Sequence, residues 1–396
     1  MRWRGIVYAL PGLMTNFPST DVFSHYDSIR ISSSEVESIS TKVLFIGGGD
    51  VGLQMANSLL AQARIDCLVI ADWNARAVGP RAAMLGNCHG VKVEFEQIDG
   101  RDKSALEAMI RRAKPDLIVQ SASLISPWSI IGRAHPVAQA LSNAGIALQI
   151  PAQLPILMNV MQIVRELGVT VPVANITMPD ILHPLLARLD LAPTIGLGNV
   201  SIHHLRVRHR LLERDDFNGD EEVRVLGHHC QVYDVMKAAL PANEDDRVKV
   251  FIGASGQRHD TLAYEGAPFA SGPIYNEITA ASAIPVLMAL LPGTSRLQFS
   301  APAPMGLPGG YPVVMDNGEI ALDLPSDLSR DEAIALNRRQ GERDGVARID
   351  TDGTLYFTDK AMAAVAELDS GLSEPIEPGN LADRTEKFMR VIAEIK

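Results

Sequence analysis

The chain has 396 residues, of which 46% are hydrophobic and 21% charged, and its formal net charge is −11. This balance indicates a soluble globular protein with room for two domains, and the negative charge argues against nucleic acid or an anionic membrane as a partner. No apolar run approaches the ~18 residues of a transmembrane helix, and the three scattered cysteines, Cys67, Cys88 and Cys230, indicate neither a disulfide framework nor a cysteine zinc site, as expected of a cytoplasmic protein.

Residues 1–41 precede the first clear element. The opening stretch, MRWRGIVYALPGLM, has two early arginines and an apolar run, which are features of a signal peptide, but the run is short and Pro11 interrupts it. Residues 32–40 are rich in serine. We therefore expect a poorly ordered extension or an upstream start codon.

The first element is a buried parallel strand, since Val43 to Ile46 form a short run that is apolar throughout. Three glycines follow at once in G-x-G-x-x-G spacing, and they are Gly47, Gly49 and Gly52. An amphipathic helix comes next, and a second apolar run, Cys67 to Ala71, ends at Asp72.

This strand, glycine loop, helix and strand predict a dinucleotide-binding site. Gly47 permits the tight turn, Gly49 lets the backbone approach a pyrophosphate, and Gly52 lets the helix and the strand pack closely. The backbone N–H groups at the start of the helix, near Asp50 and Val51, are free to bind the phosphates.

Asp72 bears on the choice of cofactor. It ends the second strand and can accept hydrogen bonds from a ribose diol. Its charge would repel the 2′-phosphate of NADP, but Asn74 and Arg76 lie just beyond it and could hold such a phosphate. We predict NAD as the cofactor, with NADP possible.

The next strands extend the cofactor site. A strand over Val91 to Ile98 ends at Asp99, which we expect near the adenine. Another, Leu117 to Val119, leads into a loop that should pass beside the nicotinamide, although a plain turn is the alternative. The small residues of that loop are Ser121, Ala122 and Ser123.

Strands and helices continue to alternate up to residue 176. Further strands are predicted over Ile146 to Ile150 and Val169 to Ala174, and helices over Pro136 to Asn143 and Leu154 to Leu167. This alternation predicts an α/β fold with a doubly wound parallel Rossmann sheet over residues 42–176. Because ligands bind beyond the carboxyl ends of such strands, we expect three substrate contacts there, and they are Gln149, Gln153 and Asn175.

Residues 177–325 are predicted to form a mixed α+β substrate and dimerisation domain, followed by a helix-hairpin-helix segment over residues 326–396. Asp180 and His183 lie one turn apart on a predicted helix and share a face. They could form an acid–base pair near the cofactor; a helix-capping aspartate and a surface histidine are the alternative.

The run Val200 to Leu211 is predicted to be a strand. Its period of two would put His204 on one side together with three arginines, which are Arg206, Arg208 and Arg210. An arginine row, with Arg206 as the proposed contact, could bind a substrate carboxylate. A solvated strand face is the alternative.

Two histidine pairs, His203-His204 and His228-His229, do not indicate a metal site, because neighbours on a strand point to opposite faces. His228 or His229 could still act as an acid–base group with Tyr233. Tyr275, near the start of a long apolar helix over Ile274 to Leu291, could contact the substrate.

Other predicted elements complete the chain. They are a hairpin of Arg247 to Gly253 with Thr261 to Gly266, a loop over residues 301–312 that could close over a site or serve as a rigid connector, a helix over Asp331 to Arg343, a hairpin of Val346 to Ile349 with Thr354 to Phe357, and a helix from Ala382 onward.

The first half resembles the saccharopine dehydrogenase-like NAD(P)-binding superfamily. The stretches that carry the resemblance are Val43 to Gly52, Val69 to Asp72, and Asp116 to Val119 before a serine-rich loop. The resemblance implies reduction or formation of an imine between an amino acid or polyamine and a carbonyl compound, and a substrate and dimerisation domain. The superfamily's catalytic residues have no match in the second half.

The sequence therefore predicts an NAD(P)-dependent oxidoreductase, active as a homodimer on a small polar molecule such as an amino-acid-derived imine or secondary amine. His183 is the first candidate for the acid–base group, with Asp180 orienting it, and Tyr275 and His204 follow. A redox-neutral synthase or lyase with tightly bound NAD and a non-catalytic NAD-sensing module are the alternatives.

Overall fold

The computed structural model of the protein describes residues 40–217, 220–270 and 272–395. The extension predicted over residues 1–41 lies outside the described residues except for Ser40 and Thr41. The Thr41 carbonyl accepts hydrogen bonds from the N–H groups of Asp66 and Cys67, so the chain is bound to the sheet from that point.

Six parallel strands form the central sheet, in the order β3-β2-β1-β4-β5-β6. Their bounds are Lys42–Ile46 (β1), Cys67–Asp72 (β2), Lys92–Gln97 (β3), Leu117–Gln120 (β4), Val173–Asn175 (β5) and Ile195–Gly196 (β6). The order reverses between β1 and β4, which is the switch point of a doubly wound sheet. The predicted α/β Rossmann fold is confirmed.

Helices cover both faces of this sheet. The helices of the described chain are Asp50–Gln62 (α1), Ala75–His89 (α2), Lys103–Ala113 (α3), Pro136–Ala144 (α4), Ile150–Leu167 (α5), Pro179–Ala187 (α6), Val200–Leu212 (α7), His229–Met236 (α8), Tyr275–Ala289 (α9), Arg330–Gly341 (α10), Asp359–Val365 (α11) and Leu381–Ala393 (α12). Because successive residues of a strand point to opposite faces, Val43 and Phe45 pack with α1, α2 and α9, whereas Leu44 and Ile46 pack with α3–α6, α11 and α12.

Three small antiparallel sheets make up the rest. Their strands are Val223–Leu226 (β7), Lys249–Ile252 (β8), Gln257–Arg258 (β9), Leu297–Pro302 (β10), Gly310–Asp316 (β11), Glu319–Leu322 (β12), Val346–Ile349 (β13) and Leu355–Phe357 (β14). The last two form the predicted hairpin around residues 350–353.

The prediction of a strand over Val200 to Leu211 is wrong, because this run is helix α7. Val200, Val207 and Leu211 are buried at helical spacing, and they pack in one core with β7 and β8. The alternating arginines suggested a period of two, but burial follows the helical period. The arginines therefore do not form a row on one side of a strand.

The prediction of a strand over Ile146 to Ile150 is also wrong. These residues form a short 3₁₀ turn that leads into α5, and Pro151 occupies its first turn, where no N–H bond is lost. The helical segment Ile146–Leu167 is long and apolar enough to cross a membrane, but 83% of its most apolar stretch is buried within the protein. It serves as a core helix.

The structure corrects one prediction for the second half of the chain and decides between the two alternatives of another. The hairpin after β8 is closed by β9, not by residues 261–266, because Asp260–Tyr264 is a 3₁₀ turn and the Asp260 carboxylate accepts from the Val250 N–H. Within the loop over residues 301–312, the N–H groups of Gly310 and Gly227 each donate to the other's carbonyl, and Tyr311 is fully buried. The loop therefore serves as a rigid connector.

Candidate functional site

A cleft of about 930 Å³ opens at the carboxyl edge of the parallel sheet. It includes the glycine loop after β1, the ends of β2, β4 and β5, and the first turns of α7, α8 and α9. Its position at the strand-order reversal is where ligands of doubly wound sheets bind.

The glycine loop has the shape that a pyrophosphate requires. Gly47 has a φ of +107°, and a Cβ there would lie 2.6 Å from the Ala122 nitrogen, whereas a Cβ at Gly52 would lie 2.3 Å from the Gly47 oxygen. A Cβ at Gly49 would meet nothing within 4 Å, so this backbone faces open cleft. No side chain of the described residues caps α1, which leaves the N–H groups near Asp50 free for an anion.

Asp72 lies beside the glycine loop. Its carboxylate accepts from the N–H groups of Gly48 and Asn74, both at 2.8 Å, and lines the cleft. The Asn74 side chain caps α2 by accepting from the Ala77 N–H, and Arg76 is exposed and does not line the cleft. Neither residue that could have held a 2′-phosphate faces the cleft, so the geometry suits a ribose diol.

Beyond Asp72 the cleft continues past the ends of β2 and β3. Trp73, 69% exposed, lies at its mouth. Asp99 lines the cleft and binds the Arg101 guanidinium through both carboxylate oxygens. This hydrogen-bonded pair lowers the pKa of Asp99. The position is the one predicted for the adenine end.

The loop after β4 is rigidly held. The Ser121 hydroxyl donates to the Gly47 carbonyl at 2.8 Å, and the Ser123 hydroxyl donates to the Ile125 carbonyl at 2.7 Å. The Gln153 amide also donates to the Ile125 carbonyl, at 3.0 Å. These three side chains and Ala122 line the cleft, and the polar groups mainly fix the loop, so their predicted contacts with cofactor and substrate stay predictions.

A chain of hydrogen bonds, here called the strap, connects this loop to two helix starts that also line the cleft. The Trp128 indole N–H donates to the Asn276 amide oxygen at 2.8 Å. The Asn276 amide nitrogen donates to the Asp50 carboxylate at 2.9 Å. The strap therefore joins the loop after β4, the start of α9 and the start of α1.

His229 is the acid–base group that the geometry favours. Its Nδ1 lies 3.0 Å from the nearer carboxylate oxygen of Asp344, so Nδ1–H donates there and Nε2 is left without a partner among the described residues. The ring lines the cleft. Burial lowers the pKa of His229, but the carboxylates of Asp344 and Asp180 outweigh burial, so the net pKa is raised.

Asp344 and Asp180 hold this histidine from two sides. Asp344 is buried, and although burial raises its pKa, His229 and His228 bring that pKa below its ordinary value. Asp180 accepts the His229 backbone N–H at 2.6 Å and the Asn199 amide at 3.1 Å. Burial raises the pKa of Asp180.

The prediction that Asp180 orients His183 is therefore wrong. His183 is fully buried and does not line the cleft. Its Nδ1 lies 3.0 Å from the Ala303 carbonyl and its Nε2 lies 3.0 Å from the Asn175 amide nitrogen, so both ring nitrogens are engaged. Burial lowers the pKa of His183 to about 4, which keeps the ring neutral. The neutral His183 ring therefore links the end of β5 to the loop over residues 301–312 by hydrogen bonds.

Other predicted contacts are turned away from the cleft. Asn175 and Gln149 are buried and do not line it, and Asn175 also donates to the Thr177 carbonyl. His204 bonds the Ser300 hydroxyl, and burial lowers its pKa to about 3. The Arg206 guanidinium donates to the carbonyls of Glu265 and Ala267 and lies over the Phe269 ring. It does not line the cleft.

Tyr275 does line the cleft, and its buried hydroxyl has no hydrogen-bond partner among the described residues. Burial raises its pKa, so the hydroxyl stays a donor. Tyr233 packs edge-on against the His229 ring at 5.4 Å. Both tyrosines therefore line the cleft with His229, and the acid–base role suggested for Tyr233 with His228 or His229 stays a prediction.

Sequence reasoning missed Asp344. It lies 115 residues from His229 and follows α10 in a charged run, Glu342-Arg-Asp, that reads as surface. The signal available in the sequence was the glycine after it, because Gly345 has a φ of +97° and ends the turn that buries the carboxylate.

His228, Cys230 and Asp344 approach one another closely enough to surround a metal ion. Burial raises the pKa of the Cys230 thiol well above its ordinary value, whereas metals bind the thiolate. Asp344 is already engaged with the two histidines. We assign no metal to this cluster.

No protein-family model and no curated protein matches the chain. Solved structures that the chain matches include malate dehydrogenase from Archaeoglobus fulgidus in complex with NADH, at a TM-score of 0.47 and 16% identity over 77% of this chain and 98% of that chain. Another is minor L-lactate dehydrogenase from Enterococcus mundtii in the ligands-bound form, at a TM-score of 0.45 and 16% identity over 76% of this chain and 95% of that chain. At these TM-scores the likeness carries no argument, and the resemblance to the saccharopine dehydrogenase-like superfamily stays a prediction.

Proposed function

We propose that the protein is an NAD-dependent oxidoreductase that exchanges a hydride with a carbon bearing oxygen or nitrogen. The observation that carries this proposal is the His229–Asp344 pair, whose imidazole ring lines the same cleft as the glycine loop and Asp72. The open space at Gly49 fits the pyrophosphate, and the carboxylate at Asp72 fits the ribose diol of NAD.

When bound, the nicotinamide would supply the hydride acceptor or donor. In the oxidative direction, His229 Nε2 takes the proton from the substrate hydroxyl or amine as the carbon–hydrogen electron pair leaves that carbon. In the reductive direction, the protonated ring returns it. Asp344 keeps the proton on Nδ1 and stabilises the imidazolium, and the Tyr275 hydroxyl, which has no partner among the described residues, would donate to the substrate heteroatom.

His229→Gln tests this proposal. It should lower turnover by about 10²-fold or more while leaving NADH affinity unchanged, because it removes only the proton carrier. His209→Gln is the matched control, since the His209 side chain is 62% exposed and lies outside the cleft. Reduced-nicotinamide absorbance and NADH fluorescence titration measure the two quantities.

Full activity in His229→Gln would contradict the assignment of this histidine. Absence of NADH binding by the wild type would contradict the cofactor. A redox-neutral enzyme would instead retain its nucleotide through purification and act without added NAD.

A further inference from the structure

The part of the cleft wall formed by helix α8 and its neighbours is apolar. Ile202, Val232, Met236 and Tyr275 pack as one cluster, with Trp128 against it, and all five line the cleft. Together they are called here the apolar chamber. Four of them are at most 8% exposed, so the chamber is a built part of the fold.

Helix α8 places the chamber and the acid–base group on one face. His229, Val232, Tyr233 and Met236 follow the spacing i, i+3, i+4, i+7, and all four line the cleft. The acid–base group and two side chains of the apolar chamber, Val232 and Met236, therefore share the helix face that borders the cleft.

The charges near the chamber do not suit a carboxylate. Among the described residues that line the cleft, the one basic side chain of arginine or lysine type is Arg101, which lies at the end of β3 and binds Asp99. The acidic side chains among the described residues that line the cleft are Asp50, Asp72, Asp99 and Glu386. A substrate carboxylate in the chamber would lose hydration and could gain there only the Tyr275 hydroxyl and the reacting His229 ring, not the paired hydrogen bonds of an arginine.

We propose that the substrate carries an uncharged aliphatic or aromatic group next to the carbon that exchanges hydride. The enzyme then acts on an apolar secondary alcohol or amine and the matching ketone or imine, rather than on an amino acid or 2-oxo acid. This inference rests on the proposed function, and it replaces the small polar substrate expected from the sequence.

Chain length gives the quantitative test. A series from 2-propanol to 2-octanol, and the matching 2-aminoalkanes, should show kcat/KM rising about fourfold per methylene until the chamber is full, because each buried methylene contributes ~0.8 kcal/mol. The matched 2-hydroxy acids and 2-amino acids should be poorer by about 100-fold or more. The two series also decide between oxygen and nitrogen at the reacting carbon.

A flat dependence on chain length, or an acid that reacts faster than its neutral analogue, would overturn the inference. A binding measurement separates this failure from failure of the proposed function. Hexanamide, but not hexanoate, should raise the Tm of the NADH-loaded protein. If hexanoate raises the Tm more than hexanamide does, the inference of an apolar chamber is wrong. If hexanamide raises the Tm but the enzyme oxidises or reduces no compound of either series, the proposed oxidoreductase function is wrong and the apolar chamber still stands.

A charge placed in the chamber should reverse the preference. Met236→Lys puts an ammonium group one turn beyond Tyr233, so hexanoate should then bind better than hexanamide. Leu240→Lys adds the same charge at a side chain that is 46% exposed and outside the cleft, and should change neither ligand. If Met236→Lys does not fold, Met236→Gln should still reduce the gain per methylene; an unchanged gain would contradict the proposal.

Discussion

Gly49 is the residue whose lack of a side chain matters most for the nucleotide. Its φ of −65° is open to any residue and a Cβ there would meet no protein atom, so Gly49→Val should fold normally. It should nevertheless abolish NADH binding, because the valine would fill the pyrophosphate position. Fluorescence titration and Tm measure the two effects.

Gly379→Val is the matched control for that substitution. A Cβ at Gly379 also meets nothing within 4 Å, and this glycine does not line the cleft. Unchanged NADH affinity in Gly49→Val would contradict the assignment of the glycine loop.

Asp344 should set the pH dependence of the reaction. Its carboxylate helps to raise the pKa of His229, and reduction requires the protonated ring, so the reductive rate should fall only as pH rises above the ordinary histidine value of about 6.5. Asp344→Asn removes the charge, so this fall should move to lower pH. A pH–rate profile of kcat/KM measures it, and an unmoved profile would show that Asp344 does not act on His229.

At the scale of elements, the strap should slow release of the nucleotide. Asn276→Ala breaks both hydrogen bonds that link Trp128 to Asp50 in the cleft lining. NADH dissociation, measured by stopped-flow fluorescence, should become about 5- to 30-fold faster, since two bonds are worth ~1–2 kcal/mol here. Gln54→Ala is the control, because Gln54 donates to the same Asp50 carboxylate at 3.0 Å but is outside the strap. Equal dissociation rates in both variants would contradict a role for the strap.

Elements whose signal is local were predicted well, and elements that depend on packing were not. The elements from β1 to β2 were predicted correctly because each strand contains a continuous apolar run and the three glycines directly follow the first run. Helix α7 was predicted as a strand because its alternating histidines and arginines follow a period of two. Its buried apolar residues follow the helical period, which becomes clear only from their packing against β7 and β8. Ile146 to Ile150 failed because a short apolar run suits a strand and a buried helix equally.

At the scale of the whole molecule, buried neutral histidines should make the fold sensitive to acid. Burial, above all, lowers the pKa of His183 to about 4 and those of His203 and His204 to about 3. The unfolded chain titrates near pH 6.5, so it binds more protons, and the free energy of unfolding falls as pH decreases below about 6.5. His229 acts in the opposite sense, because its raised pKa adds stability at low pH.

Urea unfolding at pH 7 and pH 5 measures this effect. Each of the three histidines should cost about 2 kcal/mol at pH 5, with His229 offsetting a part. His204→Gln should remove a share of the pH dependence. Equal unfolding free energies at the two pH values would contradict the neutral state of these rings.

The candidate site combines residues whose position can be predicted from the sequence with residues that only the packed fold brings together. Gly49, Asp72 and Ser121 were predicted for the cofactor because each lies at or just after the carboxyl end of a parallel strand, and all three line the cleft. His229 and Asp344 come from segments that meet only after α8 and α10 have packed, and no spacing encodes that meeting. Asp180 was chosen for its neighbour His183, but its carboxylate serves the backbone of His229.

The most direct test of the central claim is one distance in a crystal structure of the protein with NADH bound. If His229 is the acid–base group, the nicotinamide C4 should lie within about 7 Å of His229 Nε2, which leaves room for the reacting carbon and its heteroatom between them. The pyrophosphate should contact the backbone at Gly49 in the same structure. A C4 atom more than about 10 Å from Nε2, or placed on the side of His183, would contradict the account.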